Sequence, residues 1–140
     1  MLDFSMPILV VEDMALMGRI IRGLLKQIGF QRVDVVNGSY TALQRLRSSR
    51  YRLIISDWEM RPMTGLDLLK QVRSEAALAE TRFIMMTGSS TLDHVVAAKN
   101  AGADDFIAKP FTAQVLKEKI SHLFAGGKVR NDTHVIALID

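Results

Sequence analysis

The sequence predicts an α/β domain in which a five-stranded parallel sheet is covered by five helices on its two faces. Short apolar segments alternate with helical ones along the chain, and such alternation is typical of a parallel sheet with helical crossovers. The stretch from Tyr51 to Trp58 is mainly apolar, contains β-branched residues and stops at the carboxylate of Asp57, as a central strand would. The 140 residues are 49% hydrophobic, so we expect one domain with one core and no room for a second, output domain.

The composition excludes several classes of site and partner. Since the chain has no cysteine, disulfides, thiolate metal sites and cysteine nucleophiles are excluded. No apolar run approaches the roughly 18 residues of a membrane span, and no signal peptide is evident, so we expect a cytoplasmic protein without membrane contacts. The net charge of +3 comes from Arg and Lys spread along helices rather than from one block, which argues against a nucleic-acid partner.

The first two strands are short and are predicted to differ in exposure. Residues 8–11 form a buried strand that ends in Glu12-Asp13, and the helix after it stops at Gly29. Helical spacing predicts an inner apolar stripe on this helix that consists of Met17, Ile20, Ile21, Leu24, Leu25 and Ile28. Residues 32–36 alternate in polarity, which predicts a half-exposed edge strand.

The middle of the chain supplies the second helix, the central strand and the third helix. The second helix runs from about residue 39 to residue 49, and the central strand then ends at Asp57. Thr64 and Asp67 are three residues apart, which is the spacing of a capping box, and they predict a third helix over 66–74.

The last third of the chain supplies two more strand and helix units. Residues 82–87 form the fourth strand, and Ser90 is the predicted N-cap of a helix that ends near Gly102. Residues 106–108 form the short fifth strand, and Thr112 caps the last helix.

Polar side chains with complementary chemistry follow four of the five strands. They are Glu12, Asp13, Asp57, Thr87 and Lys109. In open α/β sheets the carboxyl ends of the strands share one rim, so three carboxylates converge there and repel one another. A bound hard cation relieves this repulsion, and Mg²⁺ fits the oxygen ligands best. Lys109 and the Thr87 hydroxyl could then hold phosphoryl oxygens, so the rim resembles a holder for a phosphoryl group on or beside a carboxylate.

Each of these signals also has a structural explanation when it is taken alone. The Glu12-Asp13 pair is more often a helix N-cap or a turn than a set of metal ligands. Lys109-Pro110 alone is a turn, and Thr87 alone is a hydroxyl at the end of a strand. The arrangement across four successive strand and helix units favours the functional interpretation.

Four motifs in order make the chain resemble the receiver domains of bacterial response regulators of the CheY type. The motifs occupy residues 10–13, 56–60 with Gly65 behind them, 86–88 and 101–111, and the resemblance covers about residues 6–125. It implies a flavodoxin-like, doubly wound fold with strand order 2-1-3-4-5, the order described for CheY.

The resemblance also implies a role for each residue of the rim. Asp57 is the phosphoacceptor, which takes its phosphoryl group from a phosphohistidine on a sensor histidine kinase or a histidine phosphotransferase. Asp13 and Asp57 bind Mg²⁺ through their side chains, Glu59 through its backbone carbonyl and Glu12 through water. Lys109 pairs with the phosphoryl oxygens.

A switch is implied as well. Thr87 moves to hydrogen-bond a phosphoryl oxygen, and Phe106 turns inward behind Thr87. These movements repack the face made by the fourth helix, the fifth strand and the fifth helix, which then binds a protein target in trans. The Lys109-Pro110 peptide bond is expected to be cis. Such a domain phosphorylates and dephosphorylates itself, so it is not expected to be an enzyme with an external substrate.

The chain departs from the usual receiver pattern at three positions. The proline of the loop after the phosphoacceptor comes one residue late, because Arg61 stands before Pro62. Glu59 places a long acid beside the site, where it could meet Lys109, Arg61 or an attacking water. Phe106 replaces the commoner tyrosine and lacks its hydroxyl.

Three alternatives to a phosphorylation-controlled binding module stay open at this point. One is a small magnesium-dependent phosphatase with an aspartate nucleophile, for which Glu59 has the spacing of the second acid but for which the chain has no room for a substrate-covering cap. Another is a phosphorelay intermediate that passes the group onward. The last is a structural module that never takes phosphate.

The tail, residues 126–140, lies outside the resemblance. Its first part is polar, and 135–139 is apolar and β-prone. Either it is a disordered end or it docks on the domain or on a neighbour, which would make the protein a monomer or a weak dimer. His94, His122 and His134 have no ligand partner at a usable spacing and receive no role.

Overall fold

The computed structural model of the chain describes residues 2–88 and 91–125. Within them a five-stranded parallel sheet has the order β2-β1-β3-β4-β5, which confirms the predicted flavodoxin-like fold. The elements in chain order are β1 (Ile8–Val11), α1 (Ala15–Ile28), β2 (Val33–Val36), α2 (Ser39–Ser48), β3 (Leu53–Asp57), α3 (Gly65–Ser74), β4 (Arg82–Thr87), α4 (Leu92–Ala101), β5 (Asp105–Ala108) and α5 (Ala113–Leu123).

Side chains alternate between the two faces of the sheet, and each face has its own apolar core. The face covered by α1 and α5 presents the strand residues Ile8, Val10, Ile55, Ile84 and Met86. The face covered by α2, α3 and α4 presents Leu9, Val11, Ile54, Phe83 and Met85. Because every residue of β1 and β3 is buried, the continuous apolar runs at these strands have a direct physical cause.

Helix α1 packs closely against β2 at Gly18. A Cβ atom at Gly18 would come within 2.9 Å of Val35 Cγ1, so glycine permits this contact between helix and strand. Ile20 was predicted to face inward and is 46% exposed, which corrects the predicted stripe. Two residues span about 200° around a helix, so Ile20 points away when Gly18, Ile21 and Leu25 face the sheet.

The ends of the helices agree with the predicted caps except in α4. Thr64 and Asp67 form the predicted capping box of α3, and Thr112 caps α5. The N-cap of α4 is Thr91, whose hydroxyl accepts a hydrogen bond from the His94 backbone N–H at 3.4 Å. The predicted cap, Ser90, is therefore one residue too early and lies outside the described residues, as does the predicted apolar segment 135–139 of the tail.

Among the described residues, none of the helices combines the length and apolar character needed to cross a bilayer.

Candidate functional site

The carboxyl ends of four strands meet at one rim because the strands are parallel and closely in register. Val11 of β1 lies beside Ser56 of β3, so Glu12 and Asp57 follow at the same level. Thr87 of β4 lies beside Ala108 of β5, which places Lys109 next along the rim. The structure therefore brings together the strand-end residues that the sequence predicts.

Three carboxylates form the acidic half of this rim. Glu12, Asp13 and Asp57 each offer an oxygen, and these atoms lie within 4.8 Å of one another. Glu12 and Asp57 are buried, with 1% and 3% of their surface exposed, whereas Asp13 faces solvent. Two buried negative charges at this separation destabilise each other unless a cation intervenes.

Lys109 reaches both buried carboxylates. Its Nζ lies 2.9 Å from Asp57 Oδ1 and 3.3 Å from Glu12 Oε1. Burial lowers the pKa of Lys109, but the two carboxylates outweigh burial and raise it above its usual value. Burial, and next the charge of Asp57, raise the pKa of Glu12 against the opposing effect of the Met14 N–H and of Lys109. One lysine thus neutralises only part of the acidic rim.

Asp57 Oδ1 stands out among the buried polar atoms. It accepts no well-aligned hydrogen bond from the described residues, although Lys109 Nζ is near enough for an ion pair. Buried carboxylate oxygens normally accept hydrogen bonds, so an oxygen left with spare acceptor capacity marks a place for a further ligand. An oxygen-rich, partly open set of this kind suits a hard divalent cation such as Mg²⁺, with Glu12, Asp13 and Asp57 as the candidate holders.

The loop after β3 is held by backbone hydrogen bonds to β4 and to the start of α3. The Trp58 N–H donates to the Met86 carbonyl at 2.9 Å, and the Gly65 N–H donates to the Trp58 carbonyl at 2.9 Å. A Cβ atom at residue 65 would stand 2.0 Å from the Asp57 carbonyl oxygen, so only glycine fits there. Ser39 Oγ also donates to the Met63 carbonyl at 3.0 Å, a contact across 24 residues that sequence patterns do not reveal.

Glu59 occupies this loop with an exposed side chain. It makes no ion pair with another residue in the described parts of the chain, so neither Lys109 nor Arg61 is its partner here. The role of its backbone carbonyl as a metal ligand stays a prediction. Both the Arg61-Pro62 and the Lys109-Pro110 peptide bonds are cis, the second as expected.

The two residues of the predicted switch lie on one face of adjacent strands. Thr87 is fully buried, and its carbonyl accepts a hydrogen bond from the Lys109 N–H at 2.8 Å. Phe106 pairs with Met85, two residues before Thr87, and is 7% exposed within the core cluster. The phenyl ring thus already occupies the inward position.

A ring contact joins the site to α4. The centroids of Trp58 and His94 are 4.6 Å apart with the planes tilted by 54°, and His94 Nδ1 lies 2.9 Å from Thr91 Oγ1. Sequence reasoning gave His94 no role, because nothing in the local sequence links it to the loop after β3. This contact extends the rim from the phosphoacceptor candidate to the N-terminus of α4.

Comparison with known proteins gives consistent results for sequence and structure. Residues 8–121 match the family described as response regulator receiver domain. The chemotaxis protein CheY of Pseudomonas aeruginosa is 41% identical over 119 residues, which are 85% of this chain and 96% of that protein. The chemotaxis protein CheY-3 of Vibrio cholerae is 36% identical over 88% of this chain and 95% of its own length.

Solved structures show the same fold. A signal receiver domain of a signal transduction histidine kinase from Syntrophus aciditrophicus superposes with a TM-score of 0.79 at 32% identity, covering 92% of this chain and 96% of that one. The chemotaxis protein CheY4 of Vibrio cholerae superposes with a TM-score of 0.80 at 25% identity, covering 85% and 98% of the two chains.

Proposed function

The chain belongs to the family of response regulator receiver domains, and on this premise we propose that it is a phosphorylation-controlled signalling module whose phosphoacceptor is Asp57. Receiver domains of this family accept phosphoryl groups from histidine kinases and act on downstream targets. The observation that supports Asp57 most directly is its oxygen Oδ1, which is buried at the rim 2.9 Å from the Lys109 ammonium and accepts no well-aligned hydrogen bond from the described residues.

The proposed transfer is a single displacement at phosphorus. A carboxylate oxygen of Asp57 attacks the phosphorus of a phosphohistidine on a histidine kinase or histidine phosphotransferase. The new O–P bond forms as the P–N bond breaks, and the electron pair of that bond returns to the imidazole nitrogen. Asp57 becomes an acyl phosphate, which water later hydrolyses. Positioning and charge neutralisation are most of what such a transfer requires.

Mg²⁺ is the proposed cofactor. The side chains of Asp13 and Asp57 and the backbone carbonyl of Glu59 would hold it, with Glu12 acting through water. When bound, the ion neutralises charge on the phosphoryl oxygens and on the carboxylates.

Lys109 and Thr87 complete the proposed site. Lys109, which lies between Asp57 and Glu12, is placed to pair with a phosphoryl oxygen on Asp57. Thr87 would donate its hydroxyl proton to another phosphoryl oxygen. Phosphorylation adds nearly two negative charges, so in a two-state element made of Thr87 and Phe106 this pairing can favour the state with Phe106 inward, the position that the ring already occupies.

The proposed output is binding of a protein target by the face formed by α4, β5 and α5. That face contains exposed apolar side chains in Leu92 and Val96 of α4 and Val115 of α5. Both curated relatives named above are chemotaxis proteins, so a component of that pathway is the first target to test. A phosphorelay, in which Asp57 passes the group to another histidine, uses the same site.

Intact-protein mass after incubation with Mg²⁺ and acetyl phosphate tests the proposal. We expect one added phosphoryl group on the native chain, and none without Mg²⁺ or in Asp57→Asn. Asp93→Asn, which changes an exposed aspartate outside the site, should label like the native chain. Phosphate release is followed in the same sample, because fast hydrolysis hides the adduct. The absence of both adduct and Asp57-dependent release would overturn the proposal.

The same sample separates a signalling module from a phosphatase with an external substrate. A module is modified once per molecule, whereas a phosphatase turns over a small ester such as p-nitrophenyl phosphate in excess over protein. The Glu59 side chain is exposed and is not among the three clustered carboxylates, which does not favour the role of a second catalytic acid. Many turnovers per Asp57 would favour the phosphatase.

Binding of Mg²⁺ is tested separately through Trp58, the single tryptophan of the chain. Its position directly after Asp57 makes its fluorescence a reporter of the rim. We expect a saturable change on titration with Mg²⁺, and a shift of the midpoint by about tenfold or more in Asp13→Asn. An unchanged midpoint would remove Asp13 from the ligand set.

A further inference from the structure

A basic cleft lies at the end of the sheet opposite to Asp57. Its volume is about 500 Å³, and it lies where β1, β2 and β3 begin, since Pro7, Val33 and Tyr51 contribute to its walls. Five cationic side chains line it: Arg22, Lys26, Arg32, Arg45 and Arg50. They come from α1, α2 and the segments that follow these helices, so the cleft is assembled from residues that are far apart in the sequence. We name it the basic cleft.

The basic cleft concentrates charge that the sequence shows only as scattered residues. Five cations against the one carboxylate of Asp34 leave four positive charges in the lining, while the whole chain has a net charge of +3. The carboxylate is also engaged, because Tyr51 donates its hydroxyl proton to Asp34 Oδ2 at 2.6 Å and Arg45 Nη1 lies 3.5 Å from the same oxygen. Asp34 therefore pairs with Arg45, and among the described residues it forms no ion pair with another cation of the lining.

Three of the cations have no partner in the part of the chain that the structure describes. Within residues 2–88 and 91–125, the guanidinium groups of Arg22, Arg32 and Arg50 form neither an ion pair nor a hydrogen bond. Lys26 Nζ donates to the Gln31 carbonyl at 3.0 Å, which leaves its charge uncompensated. Like charges held close together repel one another, so an anion bound among them would relieve this repulsion.

The shape and chemistry of the basic cleft favour one class of ligand. Its volume lies within the range of about 300–1,000 Å³ that is usual for small-molecule sites. Four of the five cations are arginines, whose planar forks bind phosphoryl oxygens in pairs. A nucleic-acid module usually buries about 600–1,000 Å² or more, over a surface wider than one cleft. We propose that the basic cleft binds a small anion with two or more phosphoryl groups, such as a nucleoside polyphosphate or inorganic polyphosphate.

This site is independent of the proposed phosphoacceptor. Strand β1, four residues long, separates Pro7 at the cleft from Glu12 at the acidic rim, a distance of roughly 15 Å along an extended chain. Asp57→Asn should therefore bind the anion as the native chain does. Failure of one proposal leaves the other standing.

Calorimetric titration of the full-length chain with tripolyphosphate and with ATP tests the inference, in magnesium-free buffer at low, fixed ionic strength. We expect saturable binding at one site. Arg32→Gln combined with Arg50→Gln should weaken it by about tenfold or more, since charge-assisted bonds are lost. The charge-matched control, Lys70→Gln combined with Lys117→Gln, should change it by less than about twofold. All four residues are exposed, and circular dichroism with thermal unfolding checks that the variants fold.

The two probes distinguish the possible sources of the anion. Equal affinity for tripolyphosphate and ATP would show that the cleft recognises the chain of phosphoryl groups. Tighter binding of ATP would show that the cleft also contacts the nucleoside. Absence of binding at millimolar probe would overturn the inference, as would an equal loss in both double variants. Stronger binding of a short nucleic acid or an acidic peptide at equal phosphate or carboxylate concentration would also overturn it, and would assign the basic cleft to a macromolecule.

Discussion

Two aspartates whose carboxylates are largely covered lie at opposite ends of the sheet and have opposite surroundings. Asp104, before β5, contacts Arg73 Nη2 at 2.9 Å and Arg82 Nη1 at 3.3 Å and accepts the Phe83 N–H at 2.8 Å. Asp57, at the end of β3, has the Lys109 ammonium nearby, and its Oδ1 accepts no aligned hydrogen bond from the described residues. The first carboxylate accepts aligned hydrogen bonds on both oxygens, whereas Oδ1 of the second has an ammonium 2.9 Å away without an aligned hydrogen bond.

The partners of these carboxylates differ in the same way. Arg73 also donates to the carbonyls of Gly102 at 3.0 Å, Ala79 at 3.1 Å and Thr81 at 2.6 Å, so its guanidinium joins the turn before β4 to the turn before β5. Lys109 instead faces two carboxylates that repel each other. Burial of charge alone therefore does not indicate function. Spare acceptor capacity beside unneutralised charge is the feature that separates the candidate site from a structural ion pair.

Replacing Asp57 should have the largest effect on phosphoryl transfer with the least loss in the free energy of unfolding. We expect Asp57→Asn to abolish the phosphoryl adduct while the free energy of unfolding stays the same or rises, because a buried charge that repels Glu12 is removed and Lys109 keeps Glu12 as its partner. Denaturant unfolding and intact mass measure the two properties on one sample. A large loss of stability would mean that Asp57 is structural in the same sense as Asp104.

Replacing Asp104 should have the reverse outcome. Asp104→Asn leaves Arg73 and Arg82 without their carboxylate, and removing one partner of a buried ion pair costs about 3–5 kcal/mol. We expect that loss in urea unfolding, with phosphoryl transfer per folded molecule unchanged. Asp93→Asn is the matched control, because Asp93 is exposed and forms no ion pair within the described residues, so its replacement should matter little. Loss of labelling in folded Asp104→Asn would show that the two ends are coupled.

Substitutions at two glycines test the role of the backbone beneath Asp57. A methyl group at Gly65 collides with the Asp57 carbonyl, so Gly65→Ala should cost about 1–3 kcal/mol and slow adduct formation by about tenfold. Gly23→Ala is the control, because nothing lies within 4 Å of its Cβ position and alanine in a helix stabilises by about 0.5–1 kcal/mol. Stopped-flow labelling and thermal unfolding provide the readouts. Equal effects at both positions would refute the close approach.

Sequence periodicity predicted most of the fold and of the candidate site for one physical reason. The carboxyl ends of parallel strands must share a rim, so strand-end residues such as Asp57 and Lys109 converge whatever the details of packing. The starts of α3 and α5 followed from their caps and the ends of α1 and α4 from glycines, whereas the start of α4 did not follow, because its cap is Thr91. The one predicted inner residue that faces solvent, Ile20, depends on the approach of α1 at Gly18, which is a property of packing rather than of spacing.

Contacts between distant segments could not be predicted in this way. Arg73 and Asp104 are 31 residues apart. The position of Arg73 in its helix does not distinguish it in sequence from a solvent-exposed cation, because its partners come from distant loops. The sequence did not predict the basic cleft for the same reason, since Arg22 and Arg50 become neighbours only when β2 and β3 flank β1. Charge that is scattered in sequence can therefore be concentrated in space.

A third aspartate, the buried Asp105, lies between these two extremes and should give the smallest effect. Burial raises its pKa above the usual 3.8, against the opposing effects of the Phe106 N–H at 2.8 Å and the Lys119 ammonium at 3.3 Å. The folded protein thus binds this proton more tightly than the unfolded chain does. The contribution of Asp105 to stability is therefore largest below pH 3.8 and is lost as the pH rises through the raised pKa.

Asp105→Asn should remove that part of the pH dependence and stabilise the protein modestly at neutral pH, because the asparagine oxygen can still accept the Phe106 N–H. Asp93→Asn, an exposed change, should keep the native slope. Urea unfolding between about pH 4 and pH 7 measures both, since the slope reports the difference in bound protons between the two states. A steeper fall of stability with rising pH in Asp105→Asn would contradict the sign. One ammonium and one amide would then satisfy a buried carboxylate as fully as the two guanidinium groups of Arg73 and Arg82 satisfy Asp104.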